Sequence, residues 1–249
     1  MSLDLNDLLQ EWPHEPGMIK VRKVTGNDGR ERVQLRIDLG VLQMELDGRP
    51  DGMQPNGCES LLEYHREKAQ EAQQRSESYT LSPEEIGALQ QEGVQYYHRY
   101  ISLFQLEDFK RVIRDTKRNL EMFEFVSQHS PDDELAWSVE QFTPYVLMMN
   151  ARAKASVALD IGDRRGAAQL VEKALGKIRA FYGDCGEPEL LEHSPEVEFL
   201  EEWLEELKRM EPLTELQQMR QEMERAIASE AYERAAELRD AIRALENSK

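Results

Sequence analysis

Between Ile19 and Leu46 apolar residues recur at every second position, and from Cys58 onward they recur every third or fourth. Ile19, Val21 and Val24 alternate with Lys20 and Arg22. Val33, Leu35 and Ile37 then alternate with Gln34 and Arg36, and Leu42, Met44 and Leu46 form a third run after Gly40. A period of two puts alternate side chains on opposite faces of a strand. Gly26-Asn27-Asp28-Gly29 supplies residues that tolerate positive φ, as a tight hairpin requires. The pattern predicts an antiparallel three-stranded meander with one apolar face that helices must cover.

Before it, Leu3, Leu5, Leu8 and Leu9 predict a turn or two of helix, ended by Trp12-Pro13. After it, the turn-rich stretch 47–57 reads as a domain boundary or as a binding loop presenting Arg49 and Asp51. The boundary is the expected reading. The remainder is helical, beginning with a half-exposed helix from Gly57 to Arg75. Three later helix starts share one signature, Ser82-Pro83-Glu84, Ser130-Pro131-Asp132 and Ser194-Pro195-Glu196. Serine caps, proline occupies the first turn where no N–H is needed, and the acid faces the helix dipole. Pro144 predicts either a kinked helix or two helices meeting.

Leu106-Glu107-Asp108 and Ile161-Gly162-Asp163 occupy equivalent turns 55 residues apart. The second copy resembles a tetratricopeptide hairpin, with Ala153, Ala155 and Ala158 before the turn and Ala167, Ala174 and Leu175 after it. The first copy has Tyr100, Leu103 and Phe104 where small residues belong, and the spacing exceeds the usual repeat of about 34. The expectation is an irregular stack of helical hairpins. The fold class is mainly α with a small β part, an α+β chain. It divides into a meander region (1–57), a TPR-like helical region (58–211) and a C-terminal helical hairpin (212–249).

That hairpin carries the sharpest pattern. Leu216, Met219, Met223 and Ile227 form one stripe, and Ala231, Ala235, Leu238, Ile242 and Leu245 form a second, widened by Tyr232 and Ala236. Thr214 with Gln217 forms a capping-box start, and the short join near Ser229 and Glu230 makes the helices antiparallel neighbours. The string from Met223 through Ala226, Ile227, Tyr232, Glu233, Ala235, Ala236, Leu238, Arg239, Asp240 and Ile242 to Leu245 resembles the UVR motif of the repair proteins UvrB and UvrC. Ala231 stands where that family usually has an acid.

The resemblance implies a partner-binding hairpin, of the kind that docks repair subunits and also occurs in Clp chaperone subunits and their regulators. Leu216, Met223, Ile227, Tyr232, Ala235, Ala236, Leu238, Ile242 and Leu245 would supply apolar contact, and Arg239 with Asp240 would set register. The partner would be a repair or Clp-type protein or a second copy of the chain. The helicase motifs of UvrB, the nuclease modules of UvrC and the paired C-x-x-C sites of McsA-type activators are missing.

A formal net charge of −18 argues against phosphate-backbone binding as the main task. One local basic face, Lys110, Arg111, Arg114, Lys117 and Arg118, leaves a DNA-associated repair accessory as the alternative function. Cys58 and Cys185 are far apart and suggest neither a disulfide framework nor a zinc site. Cys58 with His65 is a weak candidate thiolate pair. Phosphate-binding glycine loops and H-E-x-x-H are absent, so no cofactor, metal or catalytic residue is expected. No basic-then-apolar leader and no membrane-length apolar run occurs, which predicts a cytoplasmic protein without a membrane partner.

Overall fold

The computed structural model describes residues 5–184, 188–209, 219, 222–223, 226–227 and 231–247. The chain divides into two compact units, Met1–Glu205 and Glu206–Lys249. It is mainly helical with one small sheet.

Strands β1 (Lys20–Thr25), β2 (Glu31–Ile37) and β3 (Gly40–Glu45) form an antiparallel sheet in the order β1-β2-β3. The meander is as the alternation predicts. Gly29 takes the positive φ, 76°, in the first turn, and Asp28 there receives hydrogen bonds from Arg30 and Arg32. Val33, Leu35 and Met44 are buried on one face, with Leu46 just beyond β3. On the other face the paired residues Arg22, Gln34 and Gln43 form a row of side-chain hydrogen bonds at 2.8 and 2.9 Å. The N-terminal segment also covers part of that outer face. Helix α1 (Asn6–Glu11) ends at Trp12, whose ring lies 4.2 Å from the Arg22 guanidinium and whose carbonyl accepts from Arg36 at 2.7 Å.

Helix α2 (Leu61–Gln74) is capped by Ser60, whose hydroxyl accepts from the Glu63 N–H. Helix α3 (Pro83–Gln105) covers the apolar face of the sheet and starts with a full capping box between Ser82 and Glu85. Helices α4 (Phe109–His129), α5 (Asp133–Glu140), α6 (Thr143–Asp160) and α7 (Arg164–Asp184) follow, packed α3 on α4, α4 on α6 and α6 on α7. Pro144 therefore marks the start of a separate helix, not a kink. The second Ser-Pro-acid site behaves differently from its expectation: Asp132, two residues on, is the cap and accepts from the Leu135 N–H. An aspartate closer to the apolar run outcompetes the serine.

Leu62, Leu81, Ile86, Leu89, Met122 and Val126 belong to one core cluster beneath α2 to α5. Helix α6 lies between α4 and α7 and buries residues all round, including Ala151, Ala153, Ala155 and Ala158, which lets the backbones approach. Helices α8 (Pro188–Glu192) and α9 (Pro195–Arg209) come next. Arg152 lies between the rings of Phe104 and Phe199, 4.5 and 4.6 Å from their centres, and so ties α9 to the bundle.

The turns after α3 and α6 have the same geometry. Asp108 N–H donates to the Leu103 carbonyl and Glu107 N–H to Phe104; Asp163 N–H donates to Ala158 and Gly162 N–H to Leu159. This crossed pair of bonds is the Schellman closure of a helix end. Glu107 has φ 58° where its counterpart Gly162 has φ 80°. The internal resemblance is thus a shared helix-ending turn, with Asp163 capping the Gly166 N–H while Asp108 instead binds Lys23 and Arg111.

Candidate functional site

In the second unit, residues 219, 222–223 and 226–227 are helical, and helix α10 runs from Tyr232 to Asn247. Between them the Ala231 N–H donates to the Ala226 carbonyl at 2.8 Å. Arg234 pairs with Glu222 across the turn at 3.7 Å and with Glu237 at 3.0 Å.

The expected docking stripe separates into two sets. Ala226, Leu238 and Ile242 are buried, and Met223 and Ala236 are half-buried. Ile227 is 50% exposed and Tyr232 66% exposed, one on each side of the turn. Arg239 and Asp240 are both exposed and bind each other at 2.9 Å. Leu216 and the side chains of Ala235 and Leu245 lie outside the described residues.

The basic face of α4 is engaged within its own unit. Arg111 donates to Asp47 and Asp108, and Arg114 to Asp47, to Asp115 and to the Leu46 carbonyl. Arg118 pairs with the buried Glu92 and stacks on Tyr96, and Lys117 pairs with Glu121 at 3.2 Å. Only Lys110 of the five cations projects without a described ion pair. The face that a phosphate backbone would need is occupied by this chain's own carboxylates.

The 47–57 loop belongs to the first unit and is stitched to α3, so it is not a boundary between compact units. Arg49 pairs with Glu92 and Asp51, and Asp51 accepts from Gln95. The strongest polar lock was not anticipated. Arg99, 0% exposed, donates twice to Asp115 at 2.7 and 2.9 Å and also to the Glu45 and Gly48 carbonyls at 3.0 and 2.7 Å. The signal was available: Arg99 shares a stripe with Ile86, Leu89, Tyr96 and Leu103, where a charge demands a partner.

Cys58 and His65 do not form a thiolate pair. His65 Nδ1 meets the Tyr79 hydroxyl at 2.7 Å, and burial and the neighbouring Glu67 carboxylate push the Cys58 thiol up. Cys185 lies outside the described residues. Among the described residues no three His, Cys, Asp or Glu side chains converge as a metal site would, and no helix is long and apolar enough to cross a membrane. A cavity of about 390 Å³ opens among α3, α4, α5 and α6, walled by Val94, Tyr97, Tyr100, Phe142, Tyr145 and Val146 among others. Burial pushes the Tyr145 hydroxyl up to about 12.

The geometry defines a mainly helical chain that ends in a separate helical pair with two exposed apolar side chains at its turn. The family model described as the UvrB/uvrC motif matches residues 214–248, which links this pair to UvrB- and UvrC-type proteins. No curated protein and no solved structure matches the chain.

Proposed function

We propose that the chain is a non-enzymatic docking protein whose C-terminal hairpin binds a partner protein, helix against helix. The observation that carries this reading is the UvrB/uvrC motif at 214–248, with Ile227 and Tyr232 exposed beside its turn. A hairpin this short has little core of its own. Apolar side chains left outside that core gain stability by transferring to a partner surface, and an exposed tyrosine is a common anchor of such contacts. The motif's use between repair subunits and in Clp-type systems supports a repair or Clp-type protein as the partner. The neutralisation of Arg111, Arg114 and Arg118 by neighbouring acids favours this over the DNA-accessory reading.

The test is affinity capture from cell extract with the intact chain and an Ile227→Asp/Tyr232→Asp variant, partners being identified by mass spectrometry. Both positions are exposed, so the variant keeps its fold; Ile242, 8% exposed, would not serve. A repair or Clp-type partner held by the intact chain and lost by the variant is expected. Identical partner lists would contradict the proposal, and loss of a self-association peak in light scattering would instead make the partner a second copy.

A further inference from the structure

The outer edge of the sheet offers a second site, independent of the hairpin. Glu45 directs its N–H to the Pro50 carbonyl at 2.9 Å, and its own carbonyl accepts from Arg99 at 3.0 Å. Both groups therefore point away from β2. In an antiparallel pair this direction alternates along the strand, so Gln43 and Val41 also face outward, while Leu42 and Met44 bond to β2. The two-residue turn Asp38-Leu39 gives the same phase, because Ile37 and Gly40 close it as a hydrogen-bonded pair. Among the described residues, no backbone group from outside the sheet bonds to Val41 or Gln43.

A cavity of about 350 Å³ lies between this edge and α3. Its helical wall is Gln91, Val94, Gln95 and His98, one face of α3 by their spacing. Its other wall is the four consecutive residues Val41 to Met44. Side chains of consecutive strand residues point to opposite faces, so all four line the cavity only because it runs along the backbone edge. Pro50 and Asp51 close the end next to Glu45. Inside, Gln95 Nε2 is held by Asp51 at 3.1 Å, but its buried Oε1 has no hydrogen-bond partner.

We propose that this groove binds an extended peptide segment of a partner protein by strand addition to β3. The edge itself specifies the occupant: two outward N–H and C=O sets in line with Glu45, which already bonds to a passing backbone carbonyl. A peptide of about four residues spans the open stretch at roughly 3.3 Å per residue. It places an apolar side chain against Leu42 and Val94, and a donor side chain on Gln95 Oε1. Asp51 is already paired with Arg49 and burial disfavours the charged form of His98, so the groove favours an uncharged segment.

The test selects binders to the full-length chain from a phage-displayed library of short random peptides, then measures the selected peptides by calorimetry and amide hydrogen exchange. Gln43→Pro removes an outward N–H and the side-chain bond from Gln34, and leaves the backbone ladder to β2 intact, as edge prolines do. Val94→Glu, at a position 38% exposed, blocks the helical wall without touching the sheet. Expected are peptides with alternating apolar residues that slow exchange at the Val41 and Gln43 amides, with affinity falling at least about tenfold in each folded variant. Should Gln43→Pro fail to fold, Val94→Glu and the exchange pattern decide. No selected peptide, unchanged affinity in the folded variants, or protection confined to other segments would overturn the proposal.

Discussion

Arg99 and Asp115 hold opposite charges with no access to water, joining α3 and α4 to the loop that leaves β3. Each ion lost its hydration on folding, and that loss is offset by its partner together with the Glu45 and Gly48 carbonyls on Arg99 and the Arg114 guanidinium on Asp115. Asp115→Asn leaves the guanidinium buried and half-paired, and should lower stability by about 3–5 kcal/mol in denaturant unfolding. His65 and His98 act on pH dependence. Burial pushes both below the ordinary histidine value of 6.5. The unfolded chain then binds protons more readily than the folded one, so this contribution is present above that value and lost on acidification. The urea midpoint should fall from about pH 7 to about pH 5, and a His65→Gln/His98→Gln variant should show a flatter slope. Asp47 acts in a lower window: hydrogen bonds from Arg111, opposed by burial and aided by Arg114, hold its carboxyl at about 2. Its contribution is present above 3.8 and disappears as the pH falls toward 2. At this scale the sequence was only partly legible. Arg111, Arg114 and Arg118 read as a surface stripe because their partners, Asp47 and Glu92, are remote in sequence.

Helix ends show what local chemistry decides and what it leaves to packing. Among the described residues the bonds from Glu77 to Ala72, Asp108 to Leu103 and Asp163 to Ala158 are the longer bond of a Schellman closure, with positive φ at Ser76, Glu107 and Gly162. At the left-handed position a side chain costs about 1–2 kcal/mol relative to glycine. Glu107→Gly should therefore raise the thermal midpoint by a few degrees, and Gly162→Ala should lower stability by about 1 kcal/mol. Opposite signs at equivalent turns would be measured in the same melting experiment. The meander was readable because alternation, a Gly-rich turn and one apolar face agreed. The serine caps at Ser82 and Ser194 were readable for the same reason. At Ser130 a nearer Asp132 competed for the same N–H groups, a choice that the motif alone did not settle.

Over the whole molecule, the C-terminal UvrB/uvrC motif is the feature on which the proposed docking task rests. The periodicity identified the hairpin's apolar residues but not which of them its folding would bury. Leu238 and Ile242 are buried while Ile227 and Tyr232 are exposed, a division that spacing alone does not give. The most direct measurement of the docking claim is site-specific photocrosslinking in living cells. A photoreactive phenylalanine analogue replaces Tyr232, and a control replaces Leu39, which is more exposed still but sits on the β2–β3 turn. A discrete crosslinked protein is expected from position 232, identified as a repair or Clp-type partner and missing from position 39. No crosslink at 232, or the same crosslinks from both positions, would contradict it.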